Sequence, residues 1–102
     1  MVLHAEGEIK LSLSPKVAIQ TEKKVTIKAT WHIARHKDNR YYSIVWASTE
    51  GESGSAFRQM EGEDMAVTYE RLIDVTRGVY IFEACVYRLT RRFCDKQSLE
   101  VL

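Results

Sequence analysis

The sequence predicts an all-β fold of about seven antiparallel strands, arranged as a sandwich or a barrel. Apolar and polar residues alternate with a period of two along most of the chain, and no segment has a convincing helical period. Short clusters rich in Gly, Ser and charged residues interrupt the alternation, as turns between strands do. A chain of 102 residues suffices for one domain with a modest core, so we expect a single domain over residues 1–102.

Two segments at the start of the chain carry the alternation clearly. In EIKLSLS, residues 8–14, the odd-numbered positions are apolar, and Pro15 then interrupts the ladder as proline does at an edge or between two half-strands. In KKVTIKATWHI, residues 23–33, the odd-numbered positions from Val25 onward are apolar and the even-numbered ones are polar. Both segments therefore predict strands with one face in a core.

Five further segments complete the predicted strands, and turn-rich loops separate them. The segments are Tyr41–Ser48, a weaker strand near Ser55–Met60, Ala66–Ile73, Gly78–Arg88 and Arg92–Leu102. The loops read ARHKDNR, TEGESGS, the acidic EGED and LTRR.

The net charge and the hydropathy exclude several classes of partner. Lys and Arg number 15 against 14 Asp and Glu, which gives a formal net charge of +1. No global field therefore draws the chain to nucleic acid or to an anionic membrane. No apolar run approaches the roughly 20 residues that cross a bilayer, and the start lacks the long apolar core of a signal peptide. We expect neither membrane insertion nor a nucleic-acid partner.

The stretch from Val67 to Phe82 has the spacing V-x-Y-x-x-L-x-x-x-T-x-G-x-Y-x-F. This pattern resembles strands E and F of immunoglobulin-superfamily domains, with Gly78 and Tyr80 matching the turn glycine and the corner tyrosine. The resemblance implies that the Tyr80 hydroxyl bonds back to the turn while its ring enters the core. The apolar positions of the family pattern fall on Val67, Tyr69 and Leu72.

Upstream, Val25 to Ala29 resembles strand B of that family, and Trp46 resembles the core tryptophan of strand C. Ala29 and Phe82 stand where many members carry the two cysteines of the core disulfide. A small and a large side chain together fill a similar volume, so we expect the core to hold without a bridge. The predicted core group is Ala29, Trp46, Tyr80 and Phe82. Fibronectin type III domains and phage or bacterial immunoglobulin-like modules also lack the bridge, which leaves the subfamily open.

Cys85 and Cys94 are the two cysteines of the chain. If Tyr80 and Leu99 point inward, parity places both cysteines on the outer face of their strands. In a hairpin around LTRR they lie nearly opposite, within the Cα separation of roughly 4.4 to 6.8 Å that a disulfide tolerates. We expect a cross-strand disulfide, with two free thiols as the alternative. A bridge indicates an extracellular setting or a cell or virion surface, whereas free thiols leave the cytoplasm open.

No segment predicts catalysis, a metal or a cofactor. His32 and His36 are four residues apart, but one lies on a strand and the other in a loop, so the ligand spacing of a helix does not apply. The serines lack the G-x-S-x-G context, the cysteines lack Cys-x-x-Cys spacing, and the loop carboxylates lack the EF-hand spacing. We therefore expect a protein without catalytic residues.

The immunoglobulin-like arrangement would bring the loops ARHKDNR and YRLTRR to one end of the domain. Asp38 is the single acidic residue in these two loops. Such an end would attract an acidic protein loop or a sulfated glycan with an affinity that falls as salt rises, unless the cations only confer solubility. The six predicted cations of this basic end are Arg35, Lys37, Arg40, Arg88, Arg91 and Arg92.

The outer face of strands C, F and G is a second candidate surface, because it is more apolar than a solvated sheet needs to be. In the superfamily that the chain resembles, the equivalent face pairs domains. The alternative is that another domain of a longer parent protein covers it. Its predicted members are Tyr41, Val45, Ile81 and Tyr87.

These features predict a non-catalytic binding module for adhesion, receptor recognition or assembly, as one domain of a larger surface or virion protein. The expected partner is a protein, either another domain or a subunit, and an acidic ligand or glycan comes second. The alternative is a structural spacer of fibronectin type III or immunoglobulin-like filament type, with no ligand outside its own chain.

Overall fold

A computed structural model of the chain describes residues 7–15, 17–18, 25–49, 51–62 and 65–102. All regular structure in these ranges is β-strand, and they contain no helix long and apolar enough to span a membrane. The strands are β1 (Ile9–Ser14), β2 (Val17–Ala18), β3 (Val25–Ile33), β4 (Tyr41–Ser48), β5 (Ser53–Gln59), β6 (Val67–Val75), β7 (Gly78–Tyr87) and β8 (Arg92–Val101).

The strands form two sheets that pack face to face. One sheet has three strands in the order β1-β3-β6, and the other has five in the order β2-β8-β7-β4-β5. All neighbours are antiparallel except the two-residue β2, which pairs parallel with β8. The predicted all-β antiparallel sandwich is therefore confirmed.

Pro15 marks the point at which the chain passes from one sheet to the other. Before it, β1 pairs with β3, from Ile9 opposite Ile33 to Ser14 opposite Lys28. After it, β2 pairs with the end of β8 in the five-stranded sheet. The proline therefore separates two half-strands, which is one of the two roles that the sequence predicted for it.

The core lies between the inner faces of the two sheets, where the period-two alternation of each strand places apolar residues. Ala29 and Phe82 lie on inner faces of opposite sheets, and both are fully buried. The other apolar side chains with at most 2% exposure are Ile9, Leu11, Ile27, Trp31, Ile33, Ile44, Met60, Val75, Tyr80, Ala84, Val86, Leu99 and Val101.

Trp46 packs against the core from the inner face of β4, but it is not the more deeply buried tryptophan. It is half-buried; its ring stacks beside Phe82, with centroids 6.3 Å apart, and lies over Gly54 of the neighbouring strand. Trp31 of β3 is 1% exposed and contacts Tyr42 edge to face with centroids 5.4 Å apart. The fully buried aromatic rings of the core therefore include Trp31 as well as Tyr80 and Phe82 of β7.

The hydroxyl of Tyr80 ties β7 to the turn that precedes it, as the resemblance implied. The backbone N–H of Thr76 donates to this hydroxyl at 3.0 Å, and the Thr76 hydroxyl lies 3.1 Å away. The ring of Tyr80 is fully buried. Thr76 thus supplies the polar partners at this corner.

Leu72 does not occupy an apolar core position, so this part of the prediction was wrong. Its side chain is 70% exposed, whereas Ile73 and Val75 of the same strand are buried. β6 is regular from Val67 to Val75, so residues an odd number of positions apart point to opposite faces. Leu72 is three positions after Tyr69 and therefore points away from the core.

Candidate interaction surface

The outer face of the five-stranded sheet carries several exposed apolar side chains, called here the apolar face. Parity places these residues on β4, β5 and β7, on the side away from the core. Its exposed members are Tyr41 (38%), Val45 (48%), Phe57 (65%), Val79 (43%) and Ile81 (48%), with Ala47 among them and Tyr87 half-buried. The four predicted residues all lie on this face.

Three aromatic rings cross this face in a row. Tyr41 stacks against Tyr87 of β7 with centroids 4.7 Å apart, and it contacts Phe57 of β5 at 5.0 Å. Phe57 was missed by the sequence analysis because the weak alternation of β5 did not reveal its register. The pairing of Ser43 with Phe57 gives that register and places the ring beside Tyr41.

A disulfide joins Cys85 and Cys94 next to this row, as predicted. The two residues are directly opposite in the β7–β8 pairing, and their Cα atoms are 4.1 Å apart. Both point to the outer face, but Cys85 is only 4% exposed there. Glu83 lies beside them, and its carboxylate and the two sulfur atoms are within 4.8 Å of one another. Because the sulfur atoms are bonded to each other, this trio offers a metal only one free ligand.

The outer face of the three-stranded sheet differs sharply in chemistry. Its side chains pair with one another: Lys28 with Glu70 at 3.2 Å, and the Thr26 hydroxyl with the Asp74 carboxylate at 2.7 Å. Leu72 is its exposed apolar residue. The remaining members are polar, namely Lys10, Ser12, Ser14, Thr30, His32 and Thr68. This face is of the kind that water solvates.

The loops between β3 and β4 and between β7 and β8 meet at one end of the sandwich. The N–H of Arg40 donates to the carbonyl of Tyr87 at 2.9 Å. Asn39, which is fully buried, organises this end: its side-chain amide donates to the Ala34 carbonyl, and its own carbonyl accepts from Gly62. Asn39 is the single asparagine of the chain, and the sequence analysis gave it no role.

Arg88 does not belong to the accessible cations of the basic end, which corrects its predicted place there. Its side chain is 9% exposed and pairs with the carboxylate of Glu8. Its Nε donates to Asn39 Oδ1 at 3.0 Å, and its guanidinium lies over the ring of Phe93. The acidic partner comes from the other end of the chain, so the loop sequence alone could not reveal it.

The other five cations of the basic end are at least partly accessible. Arg35, Lys37, Arg91 and Arg92 are exposed, whereas Arg40 is half-buried and donates to loop carbonyls. The exposed Glu61 follows Met60, whose N–H donates to the carbonyl of Arg40. An acidic residue thus lies close to this end, in addition to Asp38.

His32 and His36 make separate contacts in different parts of the structure. His32 contacts the hydroxyl of Thr68 on the polar outer face, with 2.8 Å between the atoms. His36 Nδ1 accepts the backbone N–H of Asp38 at 3.0 Å and so shapes the loop. Both contacts are local and structural.

The sequence matches no protein-family model and none of the curated proteins with which it was compared.

Proposed function

We propose that the chain is a non-catalytic, immunoglobulin-like module that binds protein through its apolar face. The topology supports the class: β1, β3 and β6 correspond to strands A, B and E, and β8, β7, β4 and β5 to G, F, C and C′. The first strand is divided between the sheets at Pro15, and the corner tyrosine is present at Tyr80. No described residue forms a counterpart of strand D.

The observation that carries the binding role is the contrast between the two outer faces. One exposes aromatic and aliphatic side chains on three adjacent strands, with Lys96 and Glu83 as an ion pair beside them. The other is polar and internally paired apart from the exposed Leu72. Large exposed apolar patches on proteins usually mark contact surfaces, because burying them releases about 25 cal/mol per Å². The apolar face is therefore the favoured contact surface.

The charges at the edge of this face favour a second copy of the chain as the partner. Arg92 and Glu100 lie at opposite ends of β8, both exposed and both on the outer side. A two-fold axis that crosses the strands at the centre of the face brings Arg92 of each copy to Glu100 of the other. The same operation lays the apolar strands of the two copies against each other.

Sedimentation analysis of the oxidised protein over micromolar to millimolar concentrations tests this proposal. We expect a dimer, and we expect Val45→Glu to weaken it at least tenfold, because the new carboxylate loses its water in the interface. Leu72→Glu is the matched control, since it introduces the same charge at an exposed apolar residue on the opposite face.

Charge reversal tests the orientation of the two copies. Arg92→Glu alone and Glu100→Arg alone should each weaken the dimer, and the double variant should restore it. A chain that stays monomeric at millimolar concentration, or that responds equally to Val45→Glu and Leu72→Glu, would contradict the proposal. Such a result would favour the spacer alternative.

The proposed setting is an oxidising compartment, outside the cell or on a cell or virion surface. The Cys85–Cys94 disulfide supports it, because such bridges persist where thiols are not kept reduced. Intact mass before and after reduction and alkylation of protein isolated from its native source tests this; two freely alkylated thiols would contradict it.

A further inference from the structure

The sandwich has an open side where β5 and β6 are the last strands of their sheets, called here the β5–β6 seam. Two arginines lie at inner-face positions of these strands. Arg58 pairs directly with Tyr42, and Arg71 lies two residues beyond Tyr69 on the same face of β6. Both arginines are exposed although their positions belong to the core side. Their guanidinium groups therefore reach solvent along the seam.

Aromatic rings hold one of these guanidinium groups in place. The Cζ atom of Arg58 lies 4.8 Å from the centre of the Tyr69 ring, which itself stacks on Tyr42 at 4.5 Å. A guanidinium stacked on a ring keeps its N–H edge free to donate. Arg58 is thus oriented by the ring of Tyr69 and by a side-chain hydrogen bond to Tyr42, and the rest of its five N–H donors remain available.

The positive charges of Arg58 and Arg71 also act on the hydroxyl of Tyr42. Burial raises the pKa of Tyr42 above its usual range, while the positive charges of Arg58 and Arg71 act in the opposite direction. The geometry agrees with this: Arg58 is opposite Tyr42 in the β4–β5 pairing, and Arg71 is two residues after Tyr69, whose ring stacks on Tyr42.

Neither arginine has an acidic partner within the part of the chain that the structure describes. The ion pairs found there join other cations, namely Lys28 with Glu70, Arg88 with Glu8 and Lys96 with Glu83. Among the described residues, the two positive charges of the seam thus have no paired carboxylate.

We propose that the β5–β6 seam binds a doubly charged tetrahedral oxyanion, phosphate or sulfate, with Arg58 and Arg71 as its ligands. Two guanidinium groups match the charge of a dianion, and their planar donors suit paired oxygen acceptors. Because the seam opens to solvent, the fourth oxygen can carry an ester group. This site is separate from the apolar face and independent of the proposed dimer.

Titration of the native chain with sodium sulfate, at ionic strength held constant with sodium chloride, tests the site. The observed signals are the arginine Nε–Hε resonances in ¹H–¹⁵N spectra. Arg58 and Arg71 should shift with one saturable curve, and Arg58→Gln or Arg71→Gln should weaken binding roughly fivefold or more. Arg77→Gln is the matched control, because Arg77 is an exposed arginine in the turn between β6 and β7.

Three comparisons decide the chemistry of the ligand. Acetate should bind more weakly than sulfate, and equal binding would overturn the assignment to a dianion. Methyl phosphate should bind within about twofold of inorganic phosphate, and exclusive binding of the inorganic ion would overturn the open geometry. Arg58→Lys should retain the fold and lose affinity; full affinity would show that charge alone attracts the anion.

Shifts that never saturate, or that are spread over all exposed arginines alike, would overturn the site itself. The backbone spectrum of each variant confirms that it is folded, so a loss of sulfate binding cannot be mistaken for unfolding.

Discussion

At the scale of single residues, Arg88 connects three parts of the chain. It pairs with Glu8 before β1, donates to Asn39 in the loop after β3, and covers Phe93 in β8. A buried guanidinium needs hydrogen-bond acceptors and a countercharge, which Asn39 and Glu8 supply, while the ring of Phe93 adds a cation–π contact. The contacts therefore fix the loops at this end of the sandwich.

Arg88→Ala should lower the free energy of unfolding by roughly 2 to 3 kcal/mol, because it leaves Asn39 and Glu8 without their partner. Glu8 is one-third exposed, which keeps the loss below that of a fully buried pair. Urea unfolding measures the change. Arg91→Ala, an exposed arginine of the same loop, should change stability by about 0.5 kcal/mol or less. Equal losses in the two variants would contradict the structural role of Arg88.

Tyr42 makes the free energy of unfolding depend on pH in the alkaline range. Its pKa is raised in the folded state, chiefly by burial, so the folded chain retains a proton that the unfolded chain loses above about pH 10. The resulting stability is present below that pH and is lost as pH rises through the raised pKa. Urea unfolding between pH 8 and 11.5 should show this decline. Tyr42→Phe should flatten it, whereas Tyr41→Phe, at an exposed ring, should not.

At the scale of elements, Gly54 of β5 and Trp46 of β4 make a close contact between two paired strands. A Cβ atom on Gly54 would overlap the indole of Trp46, the residue directly opposite on β4. Gly54 therefore leaves the space that lets this ring lie flat over the edge strand.

Gly54→Ala should destabilise the chain by about 1 to 3 kcal/mol, because the ring has to leave its position beside Phe82. Thermal or urea unfolding measures the loss. Combining it with Trp46→Leu should cost less than the sum of the two single changes, and Ser55→Ala on the same strand should have little effect. If the losses in unfolding free energy from Gly54→Ala and Trp46→Leu simply add, the contact between these two residues does not contribute to stability.

The strands and their inward faces could be predicted because period-two alternation is a local property of the sequence. The core positions of β3 and the cross-strand disulfide follow from parity alone. Contacts between distant segments could not be predicted in this way. Phe57 joins the apolar face through a register with β4, and Glu8 neutralises Arg88 from a position 80 residues away. The prediction for Leu72 was wrong because the family pattern assigns this residue to the core, whereas the alternation along β6 places it on the outer face.

At the scale of the whole molecule, the basic end and the apolar face meet at Arg92. This residue is the first of β8, and its side chain lies on the outer side of the five-stranded sheet, opposite Tyr87. The β5–β6 seam lies between the two sheets. Changes at Arg58 or Arg71 should therefore leave the other two surfaces intact, since well-separated sites behave additively.

Arg35→Glu with Arg91→Glu should lower the salt concentration at which the chain elutes from immobilised heparin, because the basic end loses two exposed positive charges. Lys28→Glu with Arg77→Glu makes the same change in net charge away from that end. Elution of both variants at the same salt would indicate that only net charge matters. The double variant Arg58→Gln with Arg71→Gln, tested in parallel, shows how much the seam contributes to heparin binding.

The disulfide between β7 and β8 has a consequence for proteolysis. It closes a loop of sequence separation 9, and this loop contains the exposed Arg91 and Arg92 at which trypsin cuts. After such a cut, β8 is still tied covalently to β7 and still paired with it along its whole length. The nicked protein would run as one band without reductant and release the fragment that begins with β8 when reductant is added. Between β7 and β8 the chain can therefore be cut at the exposed hairpin tip while β8 stays attached.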